Sequence, residues 1–96
     1  MAAFKALGAT VNIDVGATTA NVALGQVSPE VRVMNNGTAT AWIAWGGSAV
    51  AGVLATSIPV GPGVTEVFGI PVGATYAAAI AAGSTGKIYF TPGIGV

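Results

Sequence analysis

The chain has 96 residues, enough for one domain with a modest core. Three basic and three acidic side chains sum to zero, and there is neither Cys nor His. Disulfides and thiolate metal sites are thereby excluded, the commonest general base is missing, and one copy offers no basic surface to follow phosphates, so no catalysis, cofactor, metal or nucleic acid is expected.

Along the chain, alternation is the dominant period. The segment Met1 to Gly8 has an early Lys5 but no sustained apolar run, since Thr10, Asn12 and Asp14 soon interrupt it, so no signal peptide is read. Ala9 to Val15 places Ala9, Val11, Ile13 and Val15 on one face and Thr10, Asn12 and Asp14 on the other, the pattern of a half-buried strand. Gly16 to Thr19 is a turn, Ala20 to Leu24 a short strand, and Gly25 to Pro29 a loop in which Pro29 holds Ser28 extended. Glu30 to Asn35 is a strand with Val31 and Val33 on one face. Asn36-Gly37 tolerates positive φ and predicts a tight hairpin returning through Thr38 to Trp45. On that return Ala41, Ile43 and Trp45 share one face and Thr40, Trp42 and Ala44 the other, so the two Trp point to opposite sides.

Gly46-Gly47-Ser48 is a turn, and Ala49 to Thr56 fits a strand, a loop or a helical turn. Ser57 to Gly63 is a turn-rich approach to the strand Val64 to Ile70. After the Pro71-Val72-Gly73 turn, Thr75 to Ala81 has the Ala content of a helix but the brevity and flanking Gly of a strand, and is read as a strand. Ser84 to Gly86 turns into a last strand, Lys87 to Thr91, ended by Pro92-Gly93. Ala41 to Gly61 is long enough and apolar enough to cross a bilayer. Gly46-Gly47-Ser48, Gly52, Thr56-Ser57 and Pro59 interrupt it and no Lys or Arg cluster flanks it, so no membrane span is expected. Seven or eight short antiparallel strands spaced by roughly 8–12 residues predict a single all-β sandwich or barrel domain over residues 1–96.

Chemistry finds little to work with. Ser28, Ser48, Ser57 and Ser84 have no His to activate them. Asp14, Glu30 and Glu66 lie on separate strands, where cross-strand pairing with Arg32 and Lys87 is the plain reading. Thr10, Asn12 and Asp14 form a polar stripe rather than a Ca²⁺ site. The aromatic residues Trp42, Trp45, Tyr76 and Tyr89 are the candidate interface residues, each also able to serve as core. Six charges cannot dominate a surface on the order of 5,000 Å². Soluble monomers usually keep apart by interspersed charge, so an oligomeric life pressed against other protein is expected.

The stretch Val31 to Gly46, with its valine-rich strand, Asn-x-Gly-Thr turn and small-aromatic-aliphatic-small-aromatic-Gly return, resembles short virion structural proteins of tailed bacteriophages and prophages. Ile58-Pro59-Val60, Gly63 to Val67, Tyr76 to Ala79 and the closing Gly83 to Gly95 are similar too, so the resemblance covers about residues 20–95. It implies a jelly-roll-like β-sandwich on the capsid surface, made in the host cytoplasm, that decorates or cements seams of the major capsid protein and has no catalytic residues. A tail- or fibre-associated module and a host-glycan-binding receptor domain are the alternatives.

Overall fold

The computed structural model describes residues 3–25, 28–54, 56–83 and 85–95; the expected loop positions 26 and 27 and the candidate Ser84 lie outside them. Among the described residues there are nine strands and no helix: β1 (Lys5–Ala6), β2 (Val11–Val15), β3 (Ala20–Ala23), β4 (Glu30–Asn35), β5 (Ala41–Gly46), β6 (Ile58–Val60), β7 (Thr65–Gly69), β8 (Tyr76–Ile80) and β9 (Gly86–Ile94). Side-chain alternation decides what each strand buries. Ile13 and Val15 of β2 are buried while Asn12 and Asp14 are exposed, and Val31, Val33 and Asn35 of β4 are buried while Arg32 and Met34 are exposed.

Every ladder is antiparallel, in two sheets. In the first sheet β9 is the spine: β4 and then β7 lie on one side of it, and β2 and β1 share the other. The second sheet runs β3-β8-β5-β6. From β2 onward the chain changes sheet at every step except β5 to β6, and this wrapping of paired sheets is that of a jelly roll. The expected all-β sandwich is therefore the observed fold.

Phe90, Ile43, Ile88, Val31, Val33 and Val60 fill the space between the sheets, each fully buried. Ala77 and Ala79 of β8 are also fully buried, and their small side chains leave room for Trp45 and Phe90 to meet edge to face, with ring centroids 5.9 Å apart. Large against small is how a thin sandwich reaches interior packing density. The Ala-rich segment is thus a strand for a packing reason that helix propensity does not contain.

Three local expectations are corrected. Asn36-Gly37 does not turn a hairpin, because β4 and β5 belong to different sheets and the segment between them crosses from one to the other. Gly37 is not among the positive-φ glycines, which are Gly63, Gly73, Gly86 and Gly95. Glycine is needed there for space: a Cβ would lie 2.6 Å from Thr85 Oγ1 and 2.9 Å from its carbonyl oxygen. Second, Ile58-Pro59-Val60 is a strand and not only an approach, tolerated with Pro because β6 is an edge. Third, Pro92 does not end β9, which runs on to Ile94. The N–H and C=O of a residue in an antiparallel strand share a side, and Pro92 O accepts from Leu7 N at 2.9 Å. Its missing N–H therefore faces the junction of β2 with β1, and the ladder to β4 loses nothing.

The crossing after β4 is organised by Asn35, which is fully buried. Its Nδ2 donates to Ala39 O at 3.0 Å and Val60 O at 2.9 Å, and its Oδ1 accepts from Gly37 N at 2.9 Å. A flipped amide would set NH₂ against an N–H, so the network fixes its orientation.

Candidate interaction surface

All six charged side chains fall on strands of the first sheet: Lys5 on β1, Asp14 on β2, Glu30 and Arg32 on β4, Glu66 on β7 and Lys87 on β9. The second sheet and the segments joining its strands have none. The molecule is divided into a charged side and an uncharged side.

On the charged side four of the six charges have partners within the chain. Asp14 and Lys87 are register partners, and Lys87 Nζ donates to Asp14 Oδ1 at 2.7 Å. That hydrogen bond and the adjacent negative charge raise the Lys87 pKa above its ordinary 10.5. Glu30 Oε1 accepts from Gly95 N at 2.7 Å, and the Arg32 guanidinium lies 5.0 Å from the Phe4 ring centroid, a cation–π contact. Glu66 is exposed on β7 opposite the inward-facing Val33, and Lys5 sits on β1 at the other margin. Charges on edge strands hinder pairing with a further strand. The outer face of this sheet also holds a groove of ≈ 480 Å³ lined by Thr10, Arg32, Met34, Thr65, Tyr89 and Thr91.

The uncharged side is built differently. The chain after β5 folds back over the outer face of the second sheet. Asn21 Nδ2 donates to Ser48 O at 3.0 Å and Val50 O at 3.2 Å, and Gly52 N donates to Thr19 Oγ1 at 2.7 Å. Gly52 is buried, and a Cβ there would lie 3.0 Å from Trp42 O and 3.1 Å from Ile80 Cγ2. This covering segment explains why Ala78, on the outward register of β8, is fully buried. Val53 and Leu54 of this segment are exposed apolar residues, and Ile58 is exposed at the edge strand β6 on the register of the inward-facing Ile43.

The four candidate aromatic residues are not brought together. Trp42 and Tyr76 are half-buried on the outward register of the second sheet, and Tyr89 lies on the outside of the first. Trp45 points inward, as the opposite directions of the two Trp required, and packs on Phe68 at 6.2 Å and on Phe90. Its alternate position on β5 turns it toward the core, against which it is partly buried. Its Nε1 is buried without a hydrogen-bond partner among the described residues. Val53, Leu54 and Ile58 were missed by reasoning from aromatic residues. Their signal was present as the charge-free run from Ala41 to Gly61, which raised the question of a membrane span instead. In the fold that run becomes β5, the covering segment and β6, and no helix among the described residues is long and apolar enough to cross a membrane. No group of three or more potential metal ligands occurs among the described residues.

No family model matches the sequence, and no curated protein matches it. Among solved structures, a chain of the Bacillus endospore appendages, described as a novel family of disulfide-linked pili, is similar. The TM-score is 0.54 at 14% identity, over 91% of this chain and 85% of that one. At this identity the likeness carries the fold alone, and it gives no support to a phage origin. The chain is an all-β jelly-roll sandwich with one side free of charge.

Proposed function

We propose that this chain is a non-enzymatic structural subunit that seats its uncharged side on other protein, as a decoration or cement protein over seams of a major capsid protein in a virion. The observation that carries the reading is the confinement of all six charges to one sheet. Interface cores are depleted of charge and enriched in aromatic residues, and the uncharged side carries the half-buried Trp42 and Tyr76 and the exposed Val53, Leu54 and Ile58. Each contact is small, and repetition over a lattice multiplies retention.

A second reading, a subunit of a self-assembling surface appendage, is favoured by the fold likeness to the endospore appendage chain. This chain has no Cys, so disulfide links between subunits are not available to it. Two measurements test these readings. Purified virions of the source are washed through a salt series and the retained protein is read on a gel. The cement reading expects the chain on the particle and retained at about 1 M salt, where screening removes mainly charge–charge terms. Release between low and moderate salt contradicts it. Free recombinant protein is examined by sedimentation and negative-stain microscopy, where spontaneous filaments would favour the appendage reading.

A further inference from the structure

Asn36 precedes Gly37, the pairing in which the asparagine side chain is most open to attack by the next backbone nitrogen. The reaction has defined bookkeeping. The Gly37 nitrogen loses its proton and bonds to Asn36 Cγ, ammonia leaves, and a five-membered succinimide forms. Water then opens the ring to aspartate or isoaspartate. The product carries a new negative charge, and in the isoaspartate form an extra backbone carbon.

The nucleophile of the first step is held in the fold. The nucleophile is engaged: Gly37 N–H donates to Asn35 Oδ1 at 2.9 Å, an Asx-turn. Removing that proton would leave an amide anion facing an oxygen lone pair. The acceptor cannot turn away, because Asn35 is fully buried and its Nδ2 is held by Ala39 O and Val60 O. The backbone on both sides is pinned as well. Asn36 N donates to Lys87 O at 2.9 Å, and Thr38 N donates to Thr85 O at 3.0 Å and to Thr85 Oγ1 at 2.7 Å. Ala39 N donates to Thr85 Oγ1 at 2.7 Å. The Asn36–Gly37 torsion must rotate to bring nitrogen to Cγ, and Gly37 is wedged against Thr85, where even a Cβ would find no room.

We propose that Asn36 is a latent deamidation site, chemically primed by Gly37 and held closed by the Asn35 and Thr85 hydrogen bonds, so that it reacts with water only when this corner opens. Asn36 itself is exposed, so water reaches the side chain and the lock acts on the nucleophile alone. Reaction therefore reports opening of the corner, and the charged product appears at the end of β4, where the native chain has a neutral side chain. The inference is independent of which assembly the chain belongs to.

The test is incubation of the folded protein at mildly alkaline pH, alongside the same protein unfolded in urea. The tryptic peptide from Val33 to Lys87 is then mapped by fragmentation mass spectrometry, with isoaspartate detected enzymatically. The folded protein is expected to lose Asn36 at least about tenfold more slowly than the unfolded chain, since local opening gates the reaction. Equal rates overturn the proposal. Thr85→Ala removes one shared acceptor while leaving the core residues in place, and is expected to speed loss of Asn36 in the folded protein several-fold. Asn35→Ala is expected to speed it further if that variant folds. A folded Thr85→Ala protein with the wild-type rate overturns the assigned role of Thr85. If both variants unfold, the folded-against-unfolded comparison of the wild type decides the proposal alone.

Discussion

The two sheets pack against one another, large side chains on the first against mostly small ones on the second, yet they present opposite exteriors. The first holds all six charges and leaves its outer face open as a groove, and the second holds none and is partly roofed by the residues after β5. The difference teaches that a net charge of zero conceals a polarity. Four of the six charges on the charged side have partners within the chain, and Lys5 and Glu66 stand in water. The uncharged side has little except apolar area and backbone hydrogen bonding to offer. Water solvates the first cheaply, whereas the second gains most from being covered.

The largest expected effect comes from making the sides alike. Tyr76→Asp places a charge on the uncharged side and should release the protein from its assembly, because an unpaired buried charge costs about 3–5 kcal/mol. Tyr89→Asp, the same change on the other side, should leave attachment intact. Retention on washed particles reads both, and equal behaviour would erase the distinction between the sides. Next, Gly52→Val drives side-chain atoms into the Trp42 carbonyl and Ile80, so the roof must lift. A loss of about 1–3 kcal/mol in chemical denaturation is expected, as for other overpacked sites. Asn21→Ala removes the two hydrogen bonds to Ser48 and Val50 and should cost about 1 kcal/mol, with faster hydrogen exchange confined to the covering segment.

The smallest effect belongs to the charged side. Asp14→Asn should leave the denaturation midpoint unchanged in low and high salt, since the paired side chains are 45% and 83% exposed. What should move is Lys87, whose titration falls back toward 10.5 by NMR once the partner's hydrogen bond and charge are gone. The sign follows from linkage. A lysine whose folded pKa is raised contributes stability below its unfolded pKa, and that contribution disappears as pH rises through the folded value. Any pH dependence from the raised Lys87 is therefore confined to the region above 10.5 and absent at neutral pH.

Much of the fold was legible in the sequence because burial on one face imposes a period of two. Ala9 to Val15 and Glu30 to Asn35 were each read as strands for that reason, whereas Thr75 to Ala81 was read as one from its brevity and flanking Gly. Sheet membership was not legible from local pattern. Asn36-Gly37 has the chemistry of a hairpin, and only the long-range contact with Thr85 shows why glycine is required without positive φ. Pro92 failed as a stop signal because the consequence of its missing N–H depends on which neighbour lies on that side. The uncharged side was written in the sequence as charge-free runs, but their convergence on one sheet depends on the alternation of strands between sheets.

The most direct test of the central claim is hydroxyl-radical footprinting of the chain free and in its native assembly. The account predicts that Trp42, Tyr76 and the exposed Leu54 lose reactivity on assembly, while Met34 and Tyr89 on the charged side stay reactive. Protection of Met34 and Tyr89 with Trp42, Tyr76 and Leu54 unchanged would contradict it.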